Sequence, residues 1–198
     1  VDAFDRIEVN RYDFSDVTET TETFTSFTKH VHPRYDCNTD RFDLMMIKLD
    51  GAVSVVEPIR INQDEAFPNT TTVLTVMGWG LTENGYPDKL QEADLDYIPN
   101  DQCSSIPDEE GYILGAWITS DMLCAQAPGK DACFGDSGSP LIARSDQAGV
   151  EVDVLVGVVS WGFACAGPIP GVYSRVSRPS TWIRRTLCTY SEFLPEYI

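Results

Sequence analysis

The chain has 198 residues, with 14 Lys and Arg against 31 Asp and Glu, a formal net charge of −17 at pH 7, and a hydrophobic fraction of 42%. That much apolar material excludes a disordered chain and suffices for one large or two small packed domains. No apolar run approaches the roughly 18 residues of a membrane-spanning helix, and so acidic a surface repels nucleic-acid phosphates. Neither a membrane nor a nucleic acid is therefore an expected partner, and the charge reads as a solvated, self-repelling surface.

The chain opens on Val1, and neither a positively charged segment nor an apolar stretch follows, so no signal peptide is read. Arg6-Ile7-Glu8-Val9-Asn10 already alternates as a strand. Further strands are read at 23–29, 43–49, 73–79, 89–98, 150–161 and 171–176, with Gly, Pro, Asn and Asp between them. His30 and His32 fall between the second and third of these and are read as loop residues. The polar, turn-rich segment 58–72 (Pro58, Asn62, Asp64, Pro68, Asn69) is the candidate linker between two halves. A short helix is expected near Asn100. The one long helix is expected over Pro179–Cys188, with Ser177 or Arg178 ahead of a Pro suited to the first turn and basic residues placed to suit the dipole. Many short strands with turn signals make an all-β barrel or sandwich.

The six cysteines, Cys37, Cys103, Cys124, Cys133, Cys165 and Cys188, include no C-x-x-C pair, and both histidines lie far from most of them, which disfavours a zinc site. An even count beside an Asn69-Thr70-Thr71 sequon favours disulfides and a secreted protein.

The sharpest chemical feature is Gly135-Asp136-Ser137-Gly138-Ser139-Pro140-Leu141. A serine between glycines can sit on a tight, exposed turn. There its hydroxyl is open to a base, and backbone N–H groups can converge on a developing oxyanion. Asp131-Ala132-Cys133 lies just upstream, and Ser160-Trp161-Gly162 and Gly171-Val172-Tyr173-Ser174-Arg175-Val176 lie downstream. With Asp43-Leu44-Met45-Met46-Ile47-Lys48-Leu49, Met77-Gly78-Trp79-Gly80, Cys124-Ala125 and the terminal Trp182-Ile183, these motifs run in one order. In that order the chain resembles the trypsin/chymotrypsin-like serine proteases from near residue 6 to near residue 188.

The resemblance implies two six-stranded antiparallel β-barrels and a C-terminal α-helix. It places a peptidase domain at 1–188, with about 1–62 as the remainder of a first barrel, 73–188 as the second barrel and terminal helix, and 189–198 as a tail. Ser137 is then the nucleophile and Asp43 the acid that orients a catalytic histidine. The N–H groups of Gly135 and Ser137 form the oxyanion hole. Asp136 is the buried carboxylate that pairs with a freed N-terminal amine when a zymogen is cut. Asp131 is the base of the specificity pocket and implies cleavage after Arg or Lys. Gly162 and Gly171 are the pocket walls, and Ser160-Trp161-Gly162 is the strand that pairs with substrate backbone. Cys103–Cys124 and Cys133–Cys165 match family disulfides. Cys37 and Cys188 either pair with each other or one of them reaches a cysteine elsewhere. The implied partners are Arg- or Lys-containing protein substrates and protein protease inhibitors. No cofactor is implied: the acidic stretch Asp13, Asp16, Glu19, Glu22 reads as a solvated face. Calcium is the alternative, since the stretch resembles in position a calcium loop of some trypsins and its oxygen ligands suit that ion.

The pattern also breaks. The family's Ala-Ala-His-Cys block is absent, as is an Ile-Val-Gly-Gly-like start, and His32, 11 residues before Asp43, matches a different His-Pro-x-Tyr turn. The expectation is a truncated domain that lacks its first strands, exposes unpaired edges and is inactive and poorly stable alone. A non-catalytic homologue that binds or inhibits a partner is the alternative. Ser139 replaces a usual Gly, Ala164 a usual Gly at the pocket rim, and Phe134 a commonly polar residue beside the oxyanion loop. The 20 residues between Cys103 and Cys124, with Asp108-Glu109-Glu110, make a longer loop than the common pattern.

Overall fold

The computed structural model describes residues 5–108, 111, 113–145 and 152–191. The first half holds two small antiparallel sheets. One pairs β1 (Ile7–Val9) with β2 (Glu22–Phe24), and the other pairs β3 (Phe27–Val31) with β4 (Met45–Leu49). The single strand expected at 23–29 is thus two, broken at Thr25-Ser26, and His30 belongs to β3 and not to a loop. The expected strand 43–49 begins two residues later: the Leu44 N–H turns back to Phe42 O at 2.7 Å, and Phe42 has φ +50°.

The second half closes on itself. Strands β6 (Val73–Gly78), β7 (Gln91–Ile98), β8 (Met122–Gln126), β9 (Pro140–Ala143), β10 (Val154–Trp161) and β11 (Gly171–Arg175) form a barrel in the order β11-β8-β7-β6-β9-β10, closed by antiparallel β10–β11 pairing. Alternation builds it: in β7 Leu95 is buried between the exposed Asp94 and Asp96. Leu74, Val76, Leu95, Leu123, Leu141, Val156 and Tyr173 fill the interior. Gly157 makes room for the largest of these, since a Cβ there would lie 3.2 Å from the Tyr173 Cβ and 3.4 Å from Leu123 Cδ2. A second cluster of Leu114, Met122, Cys124, Ile169 and Val172 surrounds the Cys103–Cys124 disulfide.

The segment expected as a linker is partly stitched to this barrel. Strand β5 (Arg60–Ile61) pairs in parallel with Val154 and Leu155 of β10, and the Asn62 N–H continues to Leu155 O at 2.9 Å. Helix α1 spans Asn100–Cys103, and α2 spans Ser180–Tyr190. Pro179, and neither Ser177 nor Arg178, is the N-cap of α2, and its last turn carries no basic residue, so Arg184 and Arg185 sit mid-helix rather than at the dipole's end. No described helix is long and apolar enough to cross a membrane. Cys37 and Cys188 are exposed and in no disulfide, so the pairing between them is not made. Cys188 shares an outward face of α2 with Arg184 and Arg185, while Cys37 lies in a turn closed by Asp36 and Arg41. Val150, Glu109, Glu110 and the tail beyond Ser191 lie outside the described residues.

Candidate active site

Two left-handed glycines shape the Ser137 turn. Gly135 has φ +99° and Gly138 φ +87°, conformations that a side chain resists. The turn is pinned from behind: Gly138 N–H donates to Val159 O at 3.0 Å, Val159 N–H to Ser139 O at 2.9 Å, and Ser139 N–H to Asp136 O at 2.8 Å. Ser137 is left exposed, and the N–H groups of Gly135 and Ser137 donate to no atom of the described residues.

Asp136 points the opposite way, into the protein, where it is 9% exposed. Its carboxylate accepts the Gly80 N–H at 2.8 Å and the Cys133 N–H at 2.9 Å. A Cβ on Gly78 or Gly80 would collide with this carboxylate, which is why Gly-Trp-Gly borders it. No cation pairs with it among the described residues.

Asp43 is delivered by the first half of the chain. The buried Asp121 carboxylate accepts the Phe42 N–H at 2.8 Å and the Thr119 hydroxyl at 2.9 Å, with Arg41 alongside at 3.4 Å. Asp43 O then accepts the Ser174 hydroxyl at 2.8 Å, and Asp43 Oδ2 accepts the Ser160 hydroxyl at 2.7 Å. Ser160 sits where the β10–β11 register shifts, between Val159 and Trp161. Ser160 and Ser137 line one cavity, so a single hydroxyl links Asp43 to the rim that carries Ser137. Neither histidine has a comparable position. His32 is 5% exposed, stacked on Phe42 at 4.7 Å and edge-on to Trp182 at 4.6 Å, and burial, with Arg34 adding to it, lowers its pKa. His30 stacks on Tyr190 at 4.1 Å.

The shared cavity measures about 230 Å³ and has Asp131 and Tyr173 in its lining, with Phe134 and Ser137 on the same wall segment. The Cys133–Cys165 disulfide joins two of its walls. Gly162 and Gly171 face each other, a Cβ on the first lying 4.0 Å from the Cα of the second. Burial pushes the Asp131 carboxyl up to about 6, against the opposing pull of the Ala166 and Ala132 N–H groups, with Asp136 adding to the rise. Tyr173 sits in a strand motif that by itself marks only a barrel position. Its hydroxyl is buried without a partner, and burial, then Asp131 and Asp136, push its pKa well above the usual tyrosine value. Asp121 carried no motif at all, and its role is visible only once Phe42 is placed against it.

A Cβ on Gly171 would lie 2.7 Å from Asp131 Oδ1 and 3.2 Å from the Tyr173 hydroxyl. Gly171→Ala is therefore expected to displace the carboxylate and to destabilise the fold by about 1–3 kcal/mol, measured by denaturant unfolding.

A closed antiparallel barrel whose one rim presents a serine turn, with a carboxylate brought to it from the preceding sheets, defines the β-barrel class of serine proteases. The trypsin family model matches residues 5–183, and the chain belongs to that family. It is 38% identical over 157 residues to trypsin delta of Drosophila melanogaster, covering 77% of this chain and 57% of that protein. It is 39% identical over 160 residues to trypsin epsilon of Drosophila erecta, covering 78% and 58%. To the serine proteinase stubble of Drosophila melanogaster it is 37% identical over 193 residues, covering 90% of this chain and 23% of the relative. The chain thus spans little more than half the length of the trypsins it matches.

Proposed function

We propose that the protein containing this chain is a secreted serine endopeptidase, made as a zymogen, that cleaves after Arg or Lys. The carrying observation is the cavity of about 230 Å³ that has Asp131 in its lining and Ser137 at its rim. A basic side chain entering it meets a carboxylate that no cation pairs with among the described residues. Its peptide carbonyl is then near the Ser137 hydroxyl, and the free Gly135 and Ser137 N–H groups face the carbonyl oxygen. In this reading Ser137 Oγ attacks the carbonyl carbon and its proton passes to a histidine. The C–N bond breaks as the amine leaves with that proton, and water then hydrolyses the acyl-enzyme. Asp43 serves by fixing and charge-stabilising the histidine, and Asp136 by accepting the new N-terminal ammonium. Residues 1–62 and 73–188 are read as contributions to a first and a second barrel.

The reading needs an imidazole beside Ser137. His30 and His32 are committed to Tyr190 and to Phe42 and Trp182, so the 198 residues by themselves are expected to be inactive. The test is to sequence the 5′ end of the transcript and then assay the activated product. A His-Cys block and turnover of Arg and Lys amides about 10³-fold faster than Phe or Leu amides support the reading. A complete reading frame with another residue at that block overturns it and favours a binding homologue.

A further inference from the structure

The four acids that mark a calcium-type loop, Asp13, Asp16, Glu19 and Glu22, do not converge. Asp13 Oδ1 accepts the Ser15 N–H at 2.8 Å and its hydroxyl at 2.6 Å, while Oδ2 lies 3.8 Å from Lys89 Nζ. Asp16 Oδ1 accepts the Thr18 N–H at 2.8 Å and its hydroxyl at 2.6 Å. Glu22 turns away altogether and binds Ser54, through its N–H at 3.0 Å and its hydroxyl. The described residues hold no group of three or more acids, histidines or cysteines arranged to grip a metal.

What does converge is a set of oxygens around Arg11. Its Nε donates to Glu8 Oε2 at 3.0 Å, and a terminal nitrogen lies 3.0 Å from the same oxygen. The other terminal nitrogen donates at 3.2 Å to Glu19 Oε2 and at 3.2 Å to the main-chain oxygen of Asp16. Glu19 turns back to close the loop by accepting the Tyr12 N–H at 3.1 Å and the Asp13 N–H at 2.9 Å. Two carboxylates and a main-chain carbonyl from both ends of the loop are the oxygen types a calcium ion would take. Here a planar guanidinium holds them, with its donors fixed in a fork that matches carboxylates. The Arg11 and Glu19 side chains are 18% and 15% exposed, so the pair is not a free surface contact.

We propose that Arg11 is the built-in cation of the 8–19 loop, and that the loop is closed by this residue and not by calcium. A divalent ion cannot enter without expelling a positive charge already bound by the same oxygens. The inference concerns the loop alone and is read by stability, so it stands or falls independently of proteolytic activity.

The test is thermal unfolding of the unaltered whole protein, in an inactivated form, in EDTA, in millimolar calcium and in millimolar magnesium at matched ionic strength. Magnesium controls for loose association of divalent ions with a chain of charge −17. The expected result is a Tm in calcium equal to that in magnesium within about 1 °C, because an ion that does not bind the native state adds nothing to it. Arg11→Gln is expected to lower Tm by about 5 °C equally in EDTA and in calcium, and Arg11→Lys to recover only part of the loss, since an ammonium lacks the fork. A Tm that rises in calcium by about 3 °C or more over magnesium overturns the proposal for the unaltered protein, whatever the variants do. An Arg11→Gln protein whose Tm in EDTA matches the unaltered one also overturns it.

Discussion

Ser137→Ala is expected to lower kcat/KM of the activated whole protein by about 10⁵-fold, with stability changed by less than about 0.5 kcal/mol. The size of the first effect follows from the chemistry. On the proposed mechanism an alanine leaves the Gly135 and residue-137 N–H groups and the cavity in place but offers no atom to form the acyl bond, and the members of a nucleophile–base–acid set act as a unit. The smallness of the second follows from the geometry. Ser137 is exposed and the turn is held by main-chain bonds from Gly138, Ser139 and Val159, none of which uses the serine hydroxyl. Removing that oxygen orphans no buried group. Substrate-analogue binding is the second readout, because Asp131 and the cavity walls are untouched and benzamidine should bind within about twofold of the unaltered protein. If Ser137→Ala retained turnover within tenfold, the nucleophile would be another residue, and the reading of the rim would fail with it.

How much of this was legible beforehand depends on what each residue needed from its surroundings. The Ser137 turn announced itself because the glycines at 135 and 138 must adopt positive φ, a local requirement written in local sequence. Strand β7 announced itself by alternation. Strands β8 and β9 did not, since Met122–Gln126 and Pro140–Ala143 are short, continuously apolar runs whose burial from both sides erases the period of two. Strand β5 is two residues long and exists because β10 offers it an edge, so no propensity of Arg60 and Ile61 points to it. The position of Asp43 is likewise non-local: its side chain is held by Ser160, 117 residues away, and its main chain by Ser174, 131 residues away. In the 13–22 stretch the sequence leaves a solvated face and a calcium loop both open, because each carboxylate is placed by a partner that no motif marks: Ser15 for Asp13, Thr18 for Asp16, Arg11 for Glu19 and Ser54 for Glu22.

Asp131→Ser is expected to reduce kcat/KM for Arg and Lys substrates by about 10³-fold or more while leaving Phe substrates nearly unchanged. Among the described residues the carboxylate is the one acidic group in the cavity lining, so a cationic side chain in the variant would be desolvated with no counter-charge. The pH dependence sharpens the test. Burial raises the Asp131 carboxyl to about 6, so cation binding should be full above that value and should weaken about tenfold for each pH unit below it. Benzamidine inhibition from pH 4.5 to 8 measures this directly, and the dependence should vanish in Asp131→Asn. The same shift has the opposite sign for stability. A carboxyl whose folded pKa lies above its ordinary 3.8 binds protons more tightly when folded, so its contribution to stability is full below pH 3.8 and lost as pH rises through about 6. Asp131→Asn should therefore unfold at a higher temperature than the unaltered protein at pH 7.5 and show no such advantage at pH 3.5. A variant that lost Arg selectivity without gaining this pH-dependent stability would mean that burial does not hold the Asp131 carboxylate at a cost. A variant that kept Arg selectivity would mean that another group, outside the lining described, reads the basic side chain.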